Sequence, residues 1–152
     1  MGINVLFIYP NTYGMNMLPP AIAIFSSLLK AKGNRIQVFD TTYYAIDFGI
    51  DADGTKMERL NVVPFNMGSR NIRLRTTNWK DDLKKQLNEF KPNLIAMSST
   101  EDMWELGVKI LKEAKDYKIK KNIPIVVGGV FPTFAPEICF KEELVDMICV
   151  GE

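Results

Sequence analysis

Three short stretches carry residues whose types and spacing suit the binding of a ligand. Gly128-Gly129 follows the apolar run Ile125-Val126-Val127 and precedes Val130-Phe131-Pro132-Thr133. Two residues without side chains at the end of a strand leave bare backbone, against which a flat or bulky ligand can lie. A tight turn with no ligand would use the same pair. Ser98-Ser99-Thr100 follows Leu94-Ile95-Ala96-Met97, and each hydroxyl can donate or accept a neutral hydrogen bond. Tyr9-Pro10-Asn11-Thr12-Tyr13-Gly14-Met15-Asn16-Met17 adds amides, hydroxyls, aromatic rings and thioethers, but no strong acid or base. A lining of this kind is neutral and poor in catalytic groups, so it suits holding a large cofactor better than moving protons. Glu101 and Asp102 are the nearby carboxylates, and capping of the following helix accounts for them. Met15 and Met17 read as pocket filling.

The composition removes several other chemistries. There is no histidine, which excludes a histidine-based triad, a histidine metal site and an imidazole base. Cys139 and Cys149 stand too far apart for a Cys-x-x-Cys motif, and Cys149 reads as a small core residue in an apolar run. Unpaired thiols with no signal sequence suit a reducing cytoplasm. The apolar start, Met1 to Pro10, lacks a basic flank and meets Pro10-Asn11 too early to span a membrane. Lysine plus arginine number 19 against 18 for aspartate plus glutamate, so no net field draws in nucleic acid or an anionic membrane. The basic group Arg70, Arg73, Arg75, Lys80, Lys84 and Lys85 is interrupted by Asp81 and Asp82 and reads as a solvated face. Asp51-Ala52-Asp53-Gly54 resembles the opening of a calcium loop, but the later acidic ligands are missing and a turn is the better reading.

The elements that must position these stretches follow from periodicity. At 152 residues, 47% apolar and 24% charged, the chain fits one soluble domain. Such a domain buries roughly 70% of its unfolded surface. Val5-Leu6-Phe7-Ile8 reads as a strand buried on both faces. Pro19-Pro20 opens a helix with Ile22, Phe25, Leu28 and Leu29 on one apolar face, and Gly33 closes it. Ile36 to Phe39 reads as a second strand ending at Asp40. Residues 41 to 78 are long for a connection, so the segment is read as functional, mobile, or holding a short strand around Arg59 to Phe65. Trp79, Leu83, Leu87 and Phe90 recur at helical spacing behind Asn78 as cap, with Asp81 and Asp82 in the first turn. Leu94 to Met97 reads as the third strand, and a helix carrying Trp104, Val108 and Leu111 runs to Lys118, Lys120 and Lys121. Ile123 to Val127 reads as the fourth strand, Pro136 to Glu143 as a short helix, and Met147 to Val150 as the fifth strand.

Strands alternating with helices imply an α/β fold with a doubly wound parallel sheet. Five strands in this pattern suggest the flavodoxin-like, Rossmann-like order 2-1-3-4-5, with a crevice where strands 1 and 3 diverge. The three stretches described above converge there. A dinucleotide fingerprint and a phosphate-binding loop are both missing after strand 1. The acids and lysine of a receiver domain are also missing, since their places hold Tyr9-Pro10, Ser98-Ser99 and Gly128-Gly129. Asn11-Thr12-Tyr13-Gly14 is a faint echo of a flavodoxin loop.

Over nearly its whole length the chain resembles the cobalamin (B12)-binding domain at the amino end of B12-dependent radical S-adenosylmethionine enzymes. The resemblance rests on the apolar first strand with Tyr9-Pro10, the Pro19-Pro20 helix start, and Lys91-Pro92-Asn93-Leu94-Ile95-Ala96-Met97-Ser98. It rests most on Pro124-Ile125-Val126-Val127-Gly128-Gly129 with Pro132-Thr133, followed by Val145-Asp146-Met147-Ile148-Cys149-Val150-Gly151-Glu152. It implies that Gly128 and Gly129, with Val130 and Phe131 beside them, border a slot for the cofactor's nucleotide tail. Ser98 or Ser99, next to Thr100, would hydrogen-bond the tail base. Asn11, Thr12, Tyr13, Gly14 and Met15 would lie beneath the corrin ring, and Gly151-Glu152 would close the slot.

Related mutase and methionine synthase domains carry Asp-x-His-x-x-Gly after strand 1, with the histidine on cobalt. The matching frame here is Tyr9-x-Asn11-x-x-Gly14, which implies cobalamin bound without a protein histidine. Phe131 stands where many relatives have a histidine. The Cys-x3-Cys-x2-Cys triplet of an iron–sulfur cluster is missing. The resemblance therefore implies a cobalamin-binding module, residues 1–152, cut from a longer enzyme of methyltransferase type. A radical domain C-terminal to it would be its partner and would hold the [4Fe-4S] cluster and S-adenosylmethionine. Two other readings remain open. One is a vestigial domain used as an interaction scaffold, its crevice plugged by Tyr9, Tyr13, Phe131 or Phe134. The other is a flavin-binding flavodoxin-like protein.

Overall fold

The computed structural model describes residues 2–12, 19–46 and 68–151. Tyr13, Gly14, Met15 and Glu152 lie outside the described residues, as do the Asp51 to Gly54 turn and the strand expected around Arg59 to Phe65. The elements run β1 (Asn4–Tyr9), α1 (Pro20–Ala31), β2 (Arg35–Asp40), a 3-10 turn (Gly68–Arg70), α2 (Trp79–Phe90), β3 (Leu94–Ser98), α3 (Glu101–Glu113), α4 (Lys115–Lys121), β4 (Ile125–Gly128), α5 (Val130–Phe134), α6 (Pro136–Cys139) and β5 (Met147–Ile148). The strands form one parallel sheet in the order β2-β1-β3-β4-β5, the doubly wound arrangement expected from the alternation of elements.

Strand periodicity separates two cores. Leu6, Ile8, Ile95, Met97, Ile125 and Val127 face α2 and α3, meeting Leu83, Leu87, Leu106, Ile110 and Leu111 in the larger core. Val5, Phe7 and Ala96 point the other way, toward Ile22 of α1, with Tyr9, Leu94 and Val126 half-buried beside them. A strand flanked on both faces must be apolar at every position, which is why these runs do not alternate in polarity.

The caps match local chemistry. The Asn78 side chain accepts from the Lys80 N–H at 2.9 Å, with Asp81 and Asp82 in the first turn of α2. Pro20 stands at the first position of α1.

Four expectations are corrected. The Phe25 and Leu28 side chains of α1 are half exposed or more, because the helix touches the sheet along a narrow stripe through Ile22 and Leu29. The helix after β3 is two helices, broken at Ala114 where α3 ends and α4 begins. The stretch after Gly129 forms the short helix α5, and the helix expected from Pro136 to Glu143 ends at Cys139. Cys149 is exposed and Cys139 is the buried cysteine, since β5 is an edge strand that ends at Ile148.

Residues 41–46 and 68–78 are joined by a parallel bridge between Tyr44 and Arg75. The buried Tyr44 donates to Asp82 at 2.7 Å, and Arg75 donates to the Tyr44 oxygen at 3.2 Å while lying over its ring. Burial, then the Asp82 hydrogen bond, push the Tyr44 phenol up to about 12. Lys80 and Lys84 of the basic group both reach Glu113 of α3, at 2.7 and 3.2 Å. They behave as a solvated helix face.

Candidate functional site

The carboxyl ends of β1, β3 and β4 meet at one edge of the sheet. Parallel register places Ile8 beside Met97, and Ser98 beside Gly128. One residue further along β1, Tyr9 therefore neighbours Ser98 on the face covered by α1. On that face a methyl group added to Gly128 would lie 3.3 Å from the Cys149 Cβ. Tyr9, Ser98, Gly128 and Cys149 thus form a row across four adjacent chain segments. Its middle consists of the two smallest side chains, which leaves a shallow trough between larger walls.

The two glycines answer different demands. Gly129 adopts φ 102, a conformation that L side chains rarely enter, and a Cβ there would sit 2.8 Å from the Ser99 carbonyl oxygen. It is glycine because the chain must fold back over Ser98 and Ser99. The outer surface of Gly129 stays exposed. Gly128 closes β4, and its missing side chain makes room beside Cys149.

Around these glycines the backbone is cross-tied. The Ser99 N–H donates to the Gly128 carbonyl at 3.0 Å, and the Phe131 N–H donates to the Ser99 carbonyl at 3.2 Å. The Thr133 hydroxyl donates to the Gly129 carbonyl at 2.8 Å and accepts from the Gly151 N–H at 3.2 Å. Thr133 therefore brings Gly151 to the glycine loop.

The three hydroxyls after β3 differ in availability. Ser99 is buried and its Oγ donates to the Thr100 carbonyl at 2.8 Å. Ser98 is half-buried and faces the trough. Thr100 stands at the cap position of α3 without using its hydroxyl there, while Glu101 and Asp102 sit in the first turn rather than at the cap. Val130 opens α5 exposed. Phe131 turns to the opposite side and packs on Trp104, ring centroids 5.4 Å apart. Phe134 is 83% exposed. Neither phenylalanine plugs the trough.

Asn11 and Thr12, at the end of β1, point elsewhere. Asn11 is 2% exposed; its N–H donates to Thr41 Oγ1 at 2.9 Å and its Nδ2 donates to Thr42 Oγ1 at 2.9 Å. Thr41 returns a hydrogen bond to the Asn11 carbonyl at 2.8 Å. The Thr12 hydroxyl is buried with no hydrogen-bond partner. Burial first, and then the Asp40 charge, push the Tyr9 phenol up, which keeps it neutral.

Tyr9, Thr133 and Cys149 were not among the site residues expected from sequence. Period-two alternation along β1 and β3 is the signal that pairs Tyr9 with Ser98. Nothing local marks Thr133 or Cys149, because their places depend on how β5 docks beside β4. Among the described residues no group of three acids, cysteines or histidines is placed to hold a metal, and no helix is long and apolar enough to cross a membrane. A cavity of about 540 Å³ lies beside β2, lined by charges of both signs, including Arg75, Asp82, Lys85 and Glu89. None of its lining residues, which also include Val38, Phe39, Asp40 and Tyr44, belongs to the row Tyr9, Ser98, Gly128 and Cys149.

Residues 66–152 match the family model described as B12 binding domain. No curated protein matches the chain. Among solved structures, the fold is similar to that of a radical S-adenosylmethionine methyltransferase, TsrM, from Kitasatospora setae, determined with cobalamin and a [4Fe-4S] cluster bound. The TM-score is 0.57 at 17% identity, and the match spans 90% of this chain and 20% of that one. At this identity the likeness is one of fold, and the chain spans about a fifth of that protein's length.

Proposed function

The chain belongs to the B12 binding domain family, and on that premise we propose that it holds cobalamin at the carboxyl edge of its sheet. The observation that carries the reading is the row Tyr9, Ser98, Gly128, Cys149. It is a neutral trough with small residues at its centre and an uncommitted serine hydroxyl within it. These residues fit the uncharged aromatic base and sugar of a nucleotide tail, which need a flat bed and few polar contacts. Ser98 is the hydrogen-bonding residue, since the Ser99 hydroxyl is already given to Thr100. Gly128, Gly129 and Val130 form one wall, with Gly151 held against it through Thr133. Thr100 stands at the mouth, and Phe131 braces the wall from behind through Trp104. Tyr13, Gly14, Met15 and Glu152 complete the proposal from the family resemblance. Without a histidine in the chain, cobalamin is held with no imidazole from this domain.

Cobalamin, when bound, supplies a cobalt centre able to carry a methyl group or assist radical chemistry. The chain's own contribution is binding and orientation. We propose further that the module serves a longer radical S-adenosylmethionine enzyme of methyltransferase type, whose radical domain follows it and holds the cluster and S-adenosylmethionine. The fold likeness to TsrM, of which this fold makes up about a fifth, supports that reading.

The test is to mix the purified chain with hydroxocobalamin, desalt it and record the visible spectrum. A protein fraction carrying the corrin bands in about equimolar amount is the expected result. A colourless protein, with no spectral shift at millimolar cofactor, overturns the proposal.

A further inference from the structure

The position that matches a cobalt-ligating histidine in related domains holds Asn11, and the structure specifies how that side chain is used. Its Nδ2 donates to Thr42 Oγ1 at 2.9 Å. The Thr42 hydroxyl in turn donates to Asp40 Oδ1 at 2.5 Å, and the Thr42 N–H reaches the same oxygen at 2.8 Å. The direction of the chain of bonds is set by chemistry. The Thr42 hydroxyl gives its single proton to Asp40 Oδ1. The Thr42 oxygen must then accept, and Asn11 must offer its NH2 rather than its carbonyl. A short hydrogen bond to a charged acceptor is among the stronger kinds. Thr41, fully buried, ties the Asn11 main chain in both directions as well.

We infer that Asn11 is a positioning residue rather than a cobalt ligand. The relay Asp40–Thr42–Asn11 turns its amide toward the end of β2 and pins the first residues of the β1–α1 connection there. The inference rests on the cobalamin reading, and it adds the end of β2, a segment outside the trough, to the residues that fix the placement of Asn11. Removing the Thr42 hydroxyl takes one buried hydrogen bond from Asn11 Nδ2, in a site 2% exposed, and weakens the hold on that side chain.

The test titrates the parent chain and three variants with hydroxocobalamin, following the corrin absorbance, with circular dichroism confirming the fold. Thr42→Val and Asp40→Ala each bind about tenfold more weakly, the scale of one buried hydrogen bond. Thr42→Ser, which keeps the hydroxyl, binds within about twofold of the parent. If Thr42→Val does not fold, Asp40→Ala decides, since Asp40 is only half-buried. A second readout uses Asn11→His with cob(II)inamide, a corrinoid with no base of its own. Its electron paramagnetic resonance spectrum is expected to lack nitrogen splitting, because position 11 is turned to β2. Parent-like affinity of folded Thr42→Val or Asp40→Ala, or nitrogen splitting in Asn11→His, overturns the relay while leaving the cofactor reading in place. A parent chain that binds no hydroxocobalamin overturns both.

Discussion

Gly129 carries two constraints that can be separated by mutation. A side chain there meets both a φ of 102 and the Ser99 carbonyl at 2.8 Å, whereas Gly33, at φ 81, has nothing within 4 Å of its missing Cβ. A strained left-handed conformation costs about 1–3 kcal/mol by itself. Gly129→Ala is therefore expected to lose more than Gly33→Ala, by roughly 2 kcal/mol, since backbone rather than a flexible side chain must move. Urea denaturation of the two variants checks this, and equal losses would show that the contact with Ser99 does not matter. Gly129 is already required by the chain's own path, and Gly128 is the residue whose missing side chain opens the trough.

At the scale of elements, the trough depends on how the two-residue strand β5 is held. Asp146 does much of this. Its carboxylate accepts from the Ile125 N–H at 2.7 Å, at the start of β4, and pairs with Lys118 of α4 at 2.8 Å. Burial alone would raise the Asp146 carboxyl, but the bonds from Lys118 and Ile125 outweigh it and hold the group below the ordinary carboxylate range. A depressed carboxyl stabilises the fold above its unfolded pKa, about 3.9, and that contribution disappears as pH falls through the lower folded value. The parent chain is thus expected to lose melting temperature more steeply below about pH 4 than Asp146→Asn does. The difference should be modest, since the side chain is 39% exposed. Parallel melting curves for the two proteins would sink this account. Lys118 and Asp146 lie 28 residues apart, so helical and strand periodicity describe each element but not this tie between them.

For the molecule as a whole, the two cysteines report on the trough. Cys139 is fully buried, and burial raises its thiol; Cys149 is exposed at the end of the row. Brief N-ethylmaleimide treatment of the folded chain is expected to label Cys149 alone, because the thiolate is the reactive form and needs access. Bound hydroxocobalamin should slow that labelling at least several-fold, as read by peptide mass spectrometry. An unchanged rate on a cofactor-loaded chain would place the cofactor away from the trough.

Much of the architecture was legible along the chain. Continuous apolar runs at β1, β3 and β4 separated by helical periods imply a parallel doubly wound sheet, because only strands covered on both faces need be apolar throughout. The paired glycines, the hydroxyl run after β3 and the missing histidine are likewise properties of local sequence, and they suffice to predict a neutral edge poor in catalytic groups. Other features required the folded chain. The choice of Ser98 over Ser99 depends on which side of the sheet each faces and on a hydrogen bond to Thr100. The withdrawal of Asn11 toward Thr42, the retreat of Phe131 onto Trp104, and the exposure of Cys149 depend on contacts between segments about 27 to 31 residues apart or on position at a sheet edge. Periodicity records which face of its own element a residue occupies. What lies opposite that face is set only when distant segments pack together.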